Sequence, residues 1–148
     1  MTPEEAYNYA AALCNKAEYC RSEIISKLRN KGLDPTDMPA VIQRLEEQRL
    51  IEDHRYAMAF ARQKFRNQYW GRRKIEIELR RKRITPDSIS DALDQINERD
   101  YSAALRAIIA KKAKSYTRPL DHAARTSIAR YAISRGFEPS LVFPLIPR

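Results

Sequence analysis

In 148 residues the chain carries eight Pro, three Gly, two Cys and a formal net charge of +9, a length that suits one compact domain or a short array of repeats. Scarce Gly, few β-branched runs and plentiful Ala, Leu, Glu, Lys and Arg exclude a sheet-rich fold and point to an all-α protein. No run of about 18 apolar residues is available to span a membrane. The acidic start MTPEEAYNYAAALC lacks the basic region of a secretory signal, and Cys14 and Cys20 form no CxxC or disulfide framework, so a reduced, cytoplasmic setting is expected.

Thr2-Pro3-Glu4-Glu5 predicts a helix start, with Thr2 as cap, Pro3 in the first turn and Glu5 closing a capping box, and the helix is expected to reach about Tyr19. A second helix buries Ile24, Ile25 and Leu28 and stops at Gly32, which suits a left-handed C-terminal cap. After the turn Asp34–Asp37, a third buries Val41, Ile42 and Leu45. Asp53 reads as the next cap, opening a long helix with Tyr56, Ala57, Phe60 and Ala61 inward that ends near Gln68. Another helix runs from Arg72 to Arg83 around Ile75 and Leu79. Thr85-Pro86-Asp87 starts one with Ile89, Ala92, Leu93 and Ile96, and Asp100 is expected to cap one with Ala104, Leu105, Ile108 and Ile109. A further helix spans Asp121 to Arg135, stopped by Gly136. The last, after Glu138-Pro139, is interrupted by Pro144 and Pro147.

These segments repeat. A shift of 51 positions superposes Thr2 on Asp53, Ala6 on Ala57, Tyr19 on Trp70, Ile24 on Ile75, Leu28 on Leu79, Leu33 on Ile84 and Pro35 on Pro86. A further shift of 53 takes Ile75 to Ile128, Ile84 to Phe137 and Pro86 to Pro139. Caps, core positions and turn prolines are what a shared backbone constrains, so three tandem three-helix repeats are expected, over residues 1–50, 51–98 and 99–148. Stacked, they would form an elongated, curved, right-handed-type helical array.

Only the middle unit carries the basic block. Arg62–Arg83 (RQKFRNQYWGRRKIEIELRRKR) holds ten Lys/Arg against Glu76 and Glu78, a net +8 out of +9. Such a concentration marks a polyanion-binding surface, although basic runs are more often solvated helix faces. At about 100° per residue, the side opposite Ile75 and Leu79 carries Arg73, Lys74, Ile77, Arg80 and Arg81. Ile77 there is equally readable as packing on a neighbouring unit. Arg62, Lys64 and Arg66 extend the patch from the preceding helix, and Arg72 and Lys82 complete it. Tyr69-Trp70 among these cations invites base stacking. Trp70 is better read as a staple onto Ile75, as Tyr19 is onto Ile24, and Tyr69 is left open.

Catalytic signatures are absent. Gly32, Gly71 and Gly136 stand alone rather than in a phosphate loop, and neither His54 nor His122 has a His or Cys within helical reach for a metal. Asp53-His54 has no elbow serine to complete a triad. Glu46, Glu47, Glu52 and Asp53, interleaved with Arg44, Arg49 and Arg55, read as an ion-paired surface. No enzyme, cofactor or metal site is expected.

Three runs, SEIISKLRNKGL, LEEQRLIEDHRYAMAFARQK and GRRKIEIELRRKRITPDSISDAL, resemble the RecX family of recombination regulators. The matching positions are Leu45, Leu50-Ile51, Asp53, Arg55-Tyr56-Ala57, Gly71, Arg73-Lys74-Ile75, Glu78-Leu79 and Lys82-Arg83-Ile84. They are diffuse singly and specific as an ordered set, and the likeness weakens beyond Tyr116. Arg83 stands where the family usually has Gly. The resemblance implies three three-helix units and no catalytic residues. It also implies a partner, the RecA recombinase: such proteins lie in the groove of its filament on single-stranded DNA. They limit filament growth, ATP hydrolysis, strand exchange and co-protease activity in DNA repair and the SOS response. The expected partners are therefore the RecA filament and the phosphates of single- and double-stranded DNA, met by a monomer. The alternatives are a sequence-neutral DNA-binding repeat protein acting without RecA, and an adaptor for an acidic protein.

Overall fold

In a computed structural model describing Met1–Arg148, the chain forms α1 (Pro3–Lys16), α2 (Arg21–Asn30), α3 (Met38–Glu47), α4 (Asp53–Gln68), α5 (Arg72–Arg81), α6 (Pro86–Asp94), α7 (Glu98–Ala113), α8 (His122–Ser134) and α9 (Pro139–Val142). A 3-10 turn, Phe143–Leu145, ends the order, and there is no strand. Thr2, Thr85 and Asp121 cap α1, α6 and α8 by accepting from Glu5, Ser88 and Ala124 amides, as their sequence positions predict.

Four ends differ from the sequence reading, among them that of α5, which stops at Arg81 rather than Arg83. α1 stops at Lys16 because Ala17 turns extended, which frees Tyr19 to pack against the core that holds Ile24. α7 begins three residues early: Asn97, not Asp100, is its cap and accepts from the Asp100 amide. Glu52 rather than Asp53 precedes α4. The Asp53 carboxylate instead accepts from the Arg21 amide at 2.7 Å, capping the first turn of α2 in the neighbouring unit.

The repeat is visible in the backbone. Gly32, Arg83 and Gly136, related by the shifts of 51 and 53, all have positive φ, at 88°, 60° and 102°. After each, the chain closes the same six-to-one hydrogen bond: Leu33 to Leu28, Ile84 to Leu79 and Phe137 to Ala132, at 3.1, 3.1 and 3.3 Å. This is the Schellman geometry that satisfies orphan carbonyls at a helix end. Ile24, Ile75 and Ile128 are each fully buried above it.

The second helices of the units meet end to end. The Gly71 amide, at the start of α5, donates to the Arg135 carbonyl at the end of α8 (2.7 Å), and the Arg73 amide donates to Gly136 (3.0 Å). One unit earlier the Ser22 hydroxyl, in the first turn of α2, donates to the Lys82 carbonyl at the end of α5 (2.6 Å). Donors at one helix start, amides in one joint and a serine hydroxyl in the other, thus meet carbonyls at another helix end, a favourable head-to-tail alignment of dipoles. At the α8–α5 joint the approach needs glycine, because a Cβ on Gly71 would sit 2.3 Å from the Gly136 carbonyl carbon.

Two cores result. Nine buried residues from Ala6 to Ile51 fill the first unit, while a cluster of 22, Cys20 and then residues from Tyr56 to Ile146, joins the other two units. In the third unit α9 is only four residues long, since Pro144 ends it, and α7 packs chiefly on α8. Accessible surface totals 9370 Å². A compact monomer of 17.3 kDa exposes about 7,800 Å², and the excess marks an elongated array. No helix is long and apolar enough to cross a membrane.

Candidate nucleic-acid interface

α5 forms because Ile75 and Leu79, one turn apart, bury completely. That burial turns the intervening residues outward. Arg73, Ile77, Arg80 and Arg81 are exposed and Lys74 is half-buried. Ile77 is 51 % exposed, so it packs on no neighbouring unit. Arg73 has no carboxylate partner, whereas Arg80 pairs with Glu76 (2.9 Å) and Arg81 with Glu78 (2.7 Å). Both guanidiniums are about 70 % exposed, and exposed pairs of this spacing contribute roughly 0.3–0.5 kcal/mol. A phosphate can displace either glutamate at little cost.

The preceding helix adds Arg62 and Arg66, both exposed, with Arg62 donating to Gln95 at 2.9 Å. Lys64 and Lys74 sit over the Trp70 ring at 4.9 and 4.4 Å. Trp70 itself is half-buried against the second core and meets Phe60 edge-on. It is therefore a staple that carries two ammonium groups on its faces, not a free stacking platform.

Two residues of the expected patch are turned inward. Arg72 donates to the Ile96 carbonyl and Glu98 and lies 3.9 Å above the Tyr101 ring, its side chain only 18 % exposed. Its own amide donates to the Tyr101 hydroxyl, which donates in turn to Glu138. Burial, reinforced by Glu138, pushes the Tyr101 phenol far above its usual pKa. Lys82 reaches back to Glu23 of the first unit at 3.1 Å. Burial disfavours its charge, but Glu23 outweighs that and raises its pKa. Burial likewise opposes ionised Glu23, yet the Cys20 amide and Lys82 together hold its carboxyl below the usual range. Tyr56 beside them is pushed up to about 12, by burial first and then Glu23. A count of charges along the chain cannot reveal partners so distant in sequence, and these two cations serve the joints between units.

Two of the four carboxylates of the acidic stretch are ion-paired. Glu46 faces Arg21, Glu52 faces Arg55 and Glu47 accepts from Gln43. His54 turns to Asp91 (3.1 Å) while Asp53 turns to Arg21, so the two diverge.

One cleft lies within the second unit, beside α5 and α6, and another at the joint between the second and third units. The first, of about 560 Å³, mixes signs, with Arg72 and Arg80 facing Glu76, Asp94 and Glu98. The other, of about 410 Å³, contains Lys111, Lys112 and Arg135 and no carboxylate, and its aromatic walls are Tyr69 and Tyr131. Sequence reading left this second cleft out, apart from Tyr69, because its cations lie on α7 and at the end of α8, far from the basic block. The signal it missed is the charge of the third unit, where ten Lys/Arg, Lys111-Lys112 and Arg135 among them, stand against three acids over residues 99–148.

Family models for the first and second three-helix domains of RecX match residues 6–45 and 53–93, together more than half of the chain. A regulatory protein RecX from Mannheimia succiniciproducens is 29% identical over 133 residues, 89% of this chain and 86% of that protein. Another, from Chlorobium phaeobacteroides, is 26% identical over 91% of this chain and 87% of its own length. Among solved structures, a regulatory protein RecX superposes with a TM-score of 0.87 at 22% identity, covering 97% of this chain and 70% of that one. RecX from Lactobacillus salivarius does so with 0.86 at 21%, covering 97% and 93%. With the repeated caps, the end-to-end helices and these matches in agreement, the chain belongs to the RecX family.

Proposed function

We propose that this protein is a cytoplasmic, non-enzymatic regulator that restrains the RecA recombinase by lying along its filament on single-stranded DNA. The observation that carries the reading is the outward face of α5, where Arg73, Arg80 and Arg81 are exposed around Ile77. Outside Arg62–Arg83 the charges sum to +1, the ten Lys/Arg and three acids of residues 99–148 being offset by acids in the first two units. An elongated array with a cationic centre matches a grooved polyanion. Arg62, Arg66 and Lys74 widen the contact, and the outer units set its register. Arg72 and Lys82 hold the array together and are left out of the contact set.

The test is RecA ATPase on single-stranded DNA, titrated with wild type and with Arg73→Ala/Arg80→Ala/Arg81→Ala at two salt concentrations. Each neutralised phosphate contributes about 0.7 to the log–log salt slope on single strands. The triple variant is expected to inhibit more weakly and to flatten that slope by about 2, with an unchanged melting temperature. Wild-type inhibition by the triple variant would remove this face from the mechanism.

A further inference from the structure

We infer that the cleft between Tyr69 and Tyr131 is a stacking site for unpaired nucleobases of single-stranded nucleic acid, separate from the phosphate-binding face of α5. The inference rests on the reading that this protein meets nucleic acid, but it uses a different surface and a different chemistry.

Tyr69 has φ of 57°, in the left-handed region, at the C-terminal cap of α4. A non-glycine residue is held there at a cost of about 1–2 kcal/mol, and burial does not offset it, because the ring is 54 % exposed. The backbone thus sends Trp70 inward and Tyr69 outward. Across the cleft Tyr131 is 39 % exposed, with the Lys112 ammonium 5.0 Å from its ring centre. Ala104, Ala107 and Ile108 complete an apolar lining. A volume of about 410 Å³ falls within the range of small-molecule sites, about 300–1,000 Å³. Lys111, Lys112 and Arg135 join in no salt bridge. Arg135 is fixed by donating to the Gln68 carbonyl. Aromatic walls, an apolar lining and cations without acids are the parts of a single-strand site: rings take the base faces and cations take the backbone.

The repeat supplies an internal control. Under the shifts of 51 and 53, Tyr69 corresponds to Glu18, Tyr131 to Glu78 and Arg135 to Lys82. At the first joint, then, two of these three positions are acids, and Glu18, Glu78 and Lys82 are held by Arg55, Arg81 and Glu23. The second joint has aromatics where the first has carboxylates. It also adjoins the cationic helix, since the Gly71 and Arg73 amides bond to Arg135 and Gly136. A strand held on α5 can therefore place a base at the cleft.

Binding by fluorescence anisotropy to three labelled probes decides the matter: a short oligo(dT), the same sugar-phosphate chain without bases, and a duplex. Wild type is expected to bind oligo(dT) more tightly than the abasic strand. Tyr69→Asn/Tyr131→Ala should lose about tenfold or more on oligo(dT), with abasic and duplex binding and the melting temperature unchanged. Tyr69→Phe/Tyr131→Phe should retain the preference for bases. Arg73→Ala/Arg80→Ala/Arg81→Ala should weaken all three probes together, so failure of the α5 face and failure of the cleft are told apart. The inference is overturned if Tyr69→Asn/Tyr131→Ala binds oligo(dT) as wild type does, or loses the abasic strand equally.

Discussion

Arg83 shows how a single residue can depart from the pattern of its position without changing the chain's path. Its counterparts Gly32 and Gly136 take the left-handed cap freely, while Arg83 does so at φ of 60°. The surrounding burial of Ile84 and Leu79 enforces the turn regardless, so α5 stops where a glycine would have stopped it. Arg83→Gly should relieve the crowding between Cβ and carbonyl, part of the gain being cancelled by the more flexible unfolded chain. A net stabilisation of about 0.5–1 kcal/mol, or roughly 2–4 °C in Tm, is expected by thermal melting, and an unchanged or lower Tm would mean the Arg83 side chain holds something. At this scale sequence reading found the right residues more often than their partners. Asp53 is a cap, but for α2 rather than its own helix. Arg72 and Lys82 are cations of the central block, but their carboxylates come from Glu98 and Glu23, which no local pattern connects to them.

Helices were legible where burial has a period and where a cap has one candidate. Ile24–Leu28, Ile75–Leu79 and Ile128–Ala132 each bury a pair of positions four apart, and four-residue spacing is what places side chains on one face. The start of α7 was misplaced because Asn97 and Asp100 both suit a cap, and only the observed bond from the Asp100 amide to Asn97 separates them. The end-to-end contacts of α8, α5 and α2 were not legible at all, since they end on backbone carbonyls far away in sequence. They make a sharp comparison possible between two glycines. Gly71 has an ordinary φ of −77°, yet a Cβ there would collide with the backbone of Gly136 and Phe137. Gly32 needs its positive φ but has nothing within 4 Å of a Cβ. Gly71→Ala should therefore cost about 3 kcal/mol by forcing two helix ends apart, and Gly32→Ala about 1 kcal/mol from backbone strain alone. Urea denaturation of the two variants reads the difference directly. Equal losses would show that the α8–α5 joint yields easily.

The whole molecule divides unequally. Units two and three share one core, whereas the first unit has its own and meets the second largely through polar groups: Arg55 with Glu18, Lys82 with Glu23, Ser22 with the Lys82 carbonyl and Arg21 with Asp53. Cys20 is the exception, buried with the second core. A joint of this kind responds to pH. Glu23 has a lowered pKa, so its contribution is present above the ordinary carboxylate range and is lost as pH falls through the folded-state value. The raised pKa of Lys82 keeps its contribution complete below 10.5, and that is lost as pH rises through the folded-state value. Asp53, raised mainly by burial, acts oppositely at the acid end, favouring the fold when protonated. Glu23→Gln should thus destabilise by about 1–2 kcal/mol across the neutral range, the usual scale for a half-buried pair losing one partner. The difference from wild type should shrink at both extremes of pH, and a difference independent of pH would mean that Glu23 acts through packing.

The three-unit organisation was legible because caps and core positions recur, but the character of each joint was not, because corresponding positions carry different side chains. One joint is made largely by charged side chains; the other is aromatic and glycine-tight, over a shared core. Compliance is therefore concentrated at a single place about a third of the way along the chain. Laid on a helical lattice whose pitch varies, such a body keeps its rear two thirds in fixed alignment while the leading third swings to follow the local geometry.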